Sequence, residues 1–329
     1  MAVTFPRRSE RTPPDEQGPH AARPRLMKRF SWTQAAPYLL ILPAVAFELL
    51  VHVLPMIVGI FMSLIELTQL FITNWSAAPF TGLGNFSVAL DFSGPIGQQL
   101  LRSFGVTLGF TILVVGASYA FGMSAAIVLQ RMARGRGFLR TLFLIPYALP
   151  AYAGIIVWKF IFQRDNGLLN QLLVDGVHLV NDRPFWLIGG NAFISLVVVS
   201  IWQQWPFAFL MSMAGMQAIP EELYEASSID GASTWQQVRH ITLRMMRPIS
   251  AVLLLLLFLW TFREFNTPYV LFGPNPPPSA DLLTVHIYSS SFITWNFGLG
   301  SAMSVLLMLF LVVVSSLWAL WNRRVNRHA

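Results

Sequence analysis

Long apolar stretches dominate this chain, and short segments of polar, Pro or Gly residues separate them. Six reach the length that a helix needs to cross the hydrocarbon core of a bilayer, about 20 residues. They run over 36–64, 101–129, 138–162, 191–217, 249–272 and 297–321. In lipid an open segment satisfies its backbone N–H and C=O groups only as a helix, so each stretch is predicted to be a spanning helix. The expected fold class is an all-α membrane protein with six transmembrane helices. Pro43, Pro55, Pro146, Pro150 and Pro206 fall inside these runs. They are expected to kink or interrupt helices, which the membrane tolerates where neighbouring helices or a watery path satisfy the freed carbonyls.

Composition agrees with a membrane location: 55% of the 329 residues are hydrophobic and only 11% are charged, against roughly 25% charged in an average soluble domain. The absence of cysteine excludes disulfides, thiolate metal sites and thiol nucleophiles. A net charge of +7 could indicate nucleic acid, but the Lys and Arg residues sit at the ends of apolar runs and form no interleaved basic-aromatic face. They report topology instead. The tail before the first run carries seven, 131–140 four, the loop with Arg239, Arg244 and Arg247 three, and the segment with Arg323, Arg324 and Arg327 three. Because Lys and Arg concentrate in cytoplasmic loops, both termini are expected inside. The outer side then receives 65–100, 163–190 and 273–296, with Trp75, Trp186 and Trp295 near the interface. Residues 1–35 hold Arg7, Arg8, Arg11, Arg23, Arg25, Lys28 and Arg29 and lack the apolar core of a signal peptide, so they are expected as a disordered basic tail.

The inner loop over 218–248 is the most informative segment. Pro220, Glu221 and Glu222 suit the first turn of a helix, the acids complementing its positive end. Gly231 suits the left-handed position that stops it, and a second helix is expected from about Ala232. Ala226, Ser227 and Ala232 leave little bulk on one face, so another protein could approach the backbone closely. The order Glu225-Ala226-Ser227, three residues, Gly231, nine residues, Ile241-Thr242-Leu243 resembles the EAA coupling loop of bacterial ABC importer permeases. Ser227 stands for the third small residue. Arg244 stands where that family usually has Pro, while Pro248 fits its later Pro.

The resemblance extends to sugar-type permeases through Thr81-Gly82-Leu83-Gly84-Asn85-Phe86, Ile145-Pro146-Tyr147, Gly167-Leu168-Leu169-Asn170 and Phe297-Gly298-Leu299-Gly300-Ser301-Ala302. It implies the type I importer permease fold over 36–329, working with a second, similar permease, two ATP-binding subunits and an extracytoplasmic solute-binding protein. Glu225, Ala226, Ser227, Asp230, Gly231 and Ala232 would then be the ATPase-coupling residues. The chain has no G-x-x-x-x-G-K-[ST] loop. By the same resemblance it has no catalytic residue, metal or cofactor of its own, and ATP with Mg is used on the partner ATPase.

Polar groups at membrane depth are costly and mark pathways or bundle interiors. In the maltose-type permeases that the chain resembles, substrate contacts fall in stretches matching Ser200 to Phe207, Thr261 to Asn266 and the Pro-Tyr of the third run. The resemblance nominates Tyr147, Ser200, Gln203, Gln204, Phe207, Thr261 and Glu264, with Arg263 adjacent. Amides beside aromatics suit the hydroxyls and apolar faces of a sugar. The alternative is that Arg263 and Glu264 pair with each other or with the second permease as structural contacts. Glu48 and His52 lie one turn apart on one face and suit a packed polar contact better than a proton relay, and Lys159 is expected to snorkel outward. The reading is a sugar importer permease. Its rivals are a permease of the same fold for glycerol phosphate or a polyol, and an ion-coupled secondary transporter.

Overall fold

The structure, a computed structural model, describes residues 32–132 and 134–326, so the tail expected over 1–35 lies outside it apart from the first residues of a helix. The chain divides into two units, Met1–Pro55 and Met56–Ala329. In the first, α1 (Trp32–Glu48) passes through a π turn at Leu49–Val53 toward α2 (Leu54–Ser63). The ring of Pro55 would strike the carbonyl of Val51, and the wider turn just ahead of it relieves that clash. This is the form that the expected kink takes. Apolar side chains along α1, Leu40 and Phe47 among them, are exposed, as suits a helix with lipid for its solvent.

In the second unit α3 (Gly84–Leu90) and α4 (Pro95–Arg131) lead to α5 (Arg136–Ala148) and α6 (Ala151–Ile161). The run predicted as one span over 138–162 is therefore a pair of helices, bent by 90°. Leu149 and Pro150 are extended, because the residue before a Pro is driven out of the α region and Pro150 has no N–H to continue the helix. Pro206 behaves otherwise: it is buried inside an unbroken helix and does not interrupt it. There follow α7 (Leu168–Asn170), α8 (Asn191–Met216), α9 (Glu221–Ile229), α10 (Thr234–Gln237), α11 (Leu243–Met245), α12 (Arg247–Phe262), α13 (Asn266–Phe272), α14 (Leu283–Tyr288) and α15 (Phe297–Asn326). With the bent pair taken as one crossing, the described residues supply six candidate spans.

The closest helix pair is α4 with α8. A Cβ at Gly122 would lie 2.5 Å from the backbone N of Phe209 and 2.7 Å from the Cβ of Ala208, so only glycine lets these backbones approach so far. Phe110, Val114, Leu196 and Val199 fill one half of this seam, and Met123, Leu129, Phe209 and Met216 the other half. Buried hydroxyls of Thr111, Ser118, Ser200 and Ser212 have no hydrogen-bond partner among the described residues. They occupy the space of small residues on these two helices.

Several of the family-like tags are staples of the segments between spans. Asn85 donates to the carbonyls of Ser63 and Ile65 at 3.0 and 2.9 Å. A side chain at Gly298 would collide with the Ile65 carbonyl. Buried Asn170 donates to the carbonyls of Arg164 and Pro184, and its oxygen accepts from Trp186 Nε1 at 2.7 Å. Trp186 is thus a half-buried strut, whereas Trp75 and Trp295 are exposed. Asp281 accepts from Ser103 at 2.6 Å, and His286 Nδ1 lies 3.1 Å from the same oxygen, which ties the segment before α14 to α4.

Candidate functional site: the loop after the fourth span and the polar break in the fifth

Pro220 caps α9 from an extended conformation, with Glu221 and Glu222 in the first turn. At the far end Gly231 takes φ +77°. Its N–H donates to Ser228 O at 3.1 Å, and Ala232 N–H donates to Ser227 O at 2.9 Å. This pair of bonds is a Schellman stop, which needs a left-handed residue where glycine stands. The second helix begins at Thr234, two residues beyond the expected start. Ser233 caps it reciprocally with Gln236: Ser233 N donates to Gln236 Oε1 at 2.7 Å and Gln236 N to Ser233 Oγ at 3.4 Å. The Ser-x-x-Gln spacing was the available signal for this boundary.

The two arms are braced against each other. Gln237 Nε2 donates to Ser227 Oγ at 3.1 Å and Ser228 Oγ at 2.9 Å, and the hydroxyls of Tyr224 and Thr242 lie 2.9 Å apart. Ser227 is therefore half-buried inside the loop rather than on its free face. Glu225, Ala226, Asp230 and Gly231 are exposed, and Ala232 is half-buried. Ile229 and Trp235 are 86% and 68% exposed. Two large apolar side chains left bare on a polar loop mark a contact surface; the sequence reading passed over both. Beyond α10 the chain stays helical past Arg244 to Met245 and turns at Met246, with Pro248 in the first turn of α12. Met246 is buried, its Cε 2.8 Å from where a Cβ on Gly215 would lie.

The fifth span breaks between α12 and α13, across 263–265. Glu264 does not pair with Arg263: its Oε1 accepts from the N–H and hydroxyl of Thr267 at 2.9 and 3.0 Å, capping α13. Thr267 Oγ1 lies 3.3 Å from Gln203 Oε1, and Thr261 Oγ1 donates to Gln204 Oε1 at 2.8 Å. The ring of Phe207 is 6.0 Å from that of Tyr147 and 4.9 Å from that of Trp260. Six nominated residues thus fall into three contact sets that join α8 to its neighbours: Gln203 with Thr267 and Glu264 at the start of α13, Gln204 with Thr261 on α12, and Phe207 with Tyr147 on α5. Ser200 is buried behind them without a partner, and Arg263 is exposed, with no ion pair among the described residues. Tyr152 on α6 and Asn266 on α13 share a 2.7 Å hydrogen bond. Lys159 is exposed, and its ammonium donates to Val270 O at 2.8 Å. In the first unit Glu48 and His52 lie 3.2 Å apart and exposed, as the one-turn spacing requires.

A bundle of long apolar helices, its third and fifth spans broken, with an exposed, braced helix–turn–helix loop is that of a polytopic membrane permease. Residues 118–327 match the family of binding-protein-dependent transport system inner membrane components, and the chain belongs to that family. Over 84% of its length it is 34% identical to the trehalose/maltose transport system permease protein MalF of Thermococcus litoralis, covering 90% of it. It is 29% identical over 85% of its length to the sn-glycerol-3-phosphate transport system permease protein UgpA of Agrobacterium fabrum, covering 92%. The fold superposes with a TM-score of 0.74 on a chain of the crystal structure of a bacterial ABC transporter involved in the import of the acidic polysaccharide alginate, at 20% identity, over 89% of this chain and 98% of that one.

Proposed function

We propose that this permease forms half of the translocation path of an ATP-driven sugar importer and couples to a separate ATPase through the loop of α9 and α10. It pairs with a second permease, docks two ATP-binding subunits that use ATP and Mg, and receives sugar from an extracytoplasmic binding protein. Both of its termini are cytoplasmic. The observation that carries this reading is the Schellman-stopped α9, which presents Glu225, Ala226, Asp230 and the bare side chain of Ile229 at the arginine-rich end. The amides of Gln203 and Gln204 beside Tyr147, Phe207 and Trp260 supply the hydrogen bonds and apolar faces that a sugar needs. The resemblance to a trehalose/maltose permease supports the same cargo.

Reconstituted with its binding protein and ATPase, the complex is expected to show ATP hydrolysis stimulated by particular sugars across a panel. Gly231→Val, β-branched at a left-handed position, is expected to lower that stimulation, and unchanged hydrolysis and uptake would sink the coupling role. A second reading, glycerol phosphate as cargo, draws on Arg263, whose guanidinium stands exposed beside the polar break without an ion pair among the described residues. Competition of uptake by sugars against phosphate esters separates the two.

A further inference from the structure

The arginine-rich end of the second unit holds a cavity of about 770 Å³ that neither coupling nor translocation uses. Its walls are the end of α4, the start of α5, the end of α8, and the loop arms α9 and α10. Arg131, Arg136 and Arg140 line it, against a single carboxylate, Glu221. None of the three guanidiniums makes an ion pair among the described residues; Arg131 donates to the backbone carbonyl of Thr234 at 3.2 Å. Arg136 and Arg140 stand one turn apart on one face of α5, where like charges repel. Both also lie in its first turns, where the helix dipole disfavours cations. Two local rules are broken at one place, and an anion between the guanidiniums would reverse the sign of both effects. Ile127, Met213 and Ile219 give the same cavity an apolar side.

We propose that this cavity binds a phosphate-bearing anion, held by the forked donors of Arg136 and Arg140. A guanidinium pair matches phosphate oxygens better than any other common anion of the cell interior. The apolar side, set where the charged end of the bundle meets the membrane, favours the headgroup of an anionic phospholipid as the source, its first methylenes lying against the half-buried Ile127, Met213 and Ile219. The phosphate so held sits on the wall formed by α4 and α5, with the loop arms α9 and α10 lining the opposite side of the cavity.

The test uses the full chain purified with the subunits it carries, in nanodiscs of phosphatidylcholine, of phosphatidylcholine mixed with phosphatidylglycerol, or of phosphatidylcholine with glycerol phosphate added to the buffer. Native mass spectrometry reads the phosphate ligand retained per complex, independently of transport. We expect wild type to retain phosphatidylglycerol, R136Q/R140Q to retain at least about tenfold less, and R323Q, at the same end but outside the cavity, to match wild type. R136Q alone is expected to fall between, which keeps the test open should the double variant assemble poorly. Retention of glycerol phosphate in pure phosphatidylcholine, lost in R136Q/R140Q, upholds the phosphate site and assigns it a soluble source. Equal retention by wild type and R136Q/R140Q in both arms, or none by wild type in either, overturns the proposal.

Discussion

Gly231 offers a quantitative test of the loop, because its requirement is purely conformational. Its φ is +77°, and a Cβ built there meets nothing within 4 Å. Gly231→Ala therefore introduces no clash, and its whole cost is that of holding an L-residue left-handed, about 1–2 kcal/mol. That is a factor of about 5–30 in the population of the closed Schellman stop. Asparagine tolerates this region better, so Gly231→Asn should recover most of the loss, and Gly231→Val, β-branched, should lose more than Ala. The assay is sugar-stimulated ATP hydrolysis by the assembled transporter, with thermal unfolding followed in parallel. Activity should rank Gly, Asn, Ala, Val while the unfolding midpoint barely moves, since the loop lies outside the packed seam. Gly122→Ala is the contrast: its Cβ falls 2.5 Å from a backbone nitrogen, so it should lower the midpoint. Equal activity of the Ala and Asn variants, or a loss of midpoint in Gly231→Ala as large as in Gly122→Ala, would refute the reasoning.

Three further outcomes follow from single contacts. Asn170→Ala orphans the carbonyls of Arg164 and Pro184 and the indole N–H of Trp186; at about 1–3 kcal/mol per buried orphan it should open the 163–190 segment, read as faster trypsin cleavage after Arg164. Thr261→Val keeps the shape of a buried side chain but removes the donor to Gln204 Oε1; about 1 kcal/mol should appear as several-fold weaker sugar uptake with assembly intact, and unaltered uptake would take Thr261 out of the path. Asp91, in the turn before α4, accepts from the hydroxyl and N–H of Ser93, which hold its carboxyl below the ordinary carboxylate value. With a depressed folded value, its contribution to the turn is present above the unfolded value and lost as pH falls through the folded one; a carboxyl chemical-shift titration giving the ordinary value or higher would contradict this.

What could be read before the structure was what depends on neighbours in sequence. Gly231 was readable because the stop of a helix is decided within five residues, and the interruption of the third span because Leu149 cannot stay helical before Pro150. The 90° bend itself was not, since its angle depends on how α5 and α6 pack on other helices. Arg263 and Glu264 invited an ion pair through adjacency, yet both fall in the break between α12 and α13, where the start of α13 claims the Glu264 carboxylate. The productive spacing for Glu264 was three residues on, to Thr267. Ser227 looked like a free small residue because the group that claims it, Gln237, is ten positions away. Ile229 and Trp235 escaped notice because apolar residues are unremarkable in a sequence and become informative only when the fold leaves them bare.

The loop and the polar break are two ends of one helical hairpin, and this bears on how closure of an ATPase could reach a sugar. α8 enters the loop and α12 leaves it. Gln204 on α8 lies twelve residues before its end at Met216, about 18 Å of helix. Thr261 on α12 lies fourteen residues after its start at Arg247, about 21 Å. The Gln204–Thr261 hydrogen bond therefore joins the same two helices that Met246 and Gly215 pack together beside the loop. Helices this long move as rods, so a force that displaces α9 has two routes: to shift both together, or to shear one along the other. Shear would break the Gln204–Thr261 bond and free the amide and hydroxyl for a substrate. A rigid shift would keep them paired. The polar break just beyond Thr261 favours shear, since α12 ends there and α13, capped by Glu264 and held to α6 through Lys159 and Tyr152, need not follow. A cross-link locking position 204 to position 261 should then abolish uptake while leaving the ATPase bound, whereas one joining α13 to α6 should leave uptake largely intact; the opposite pattern would show that the hairpin moves as one body.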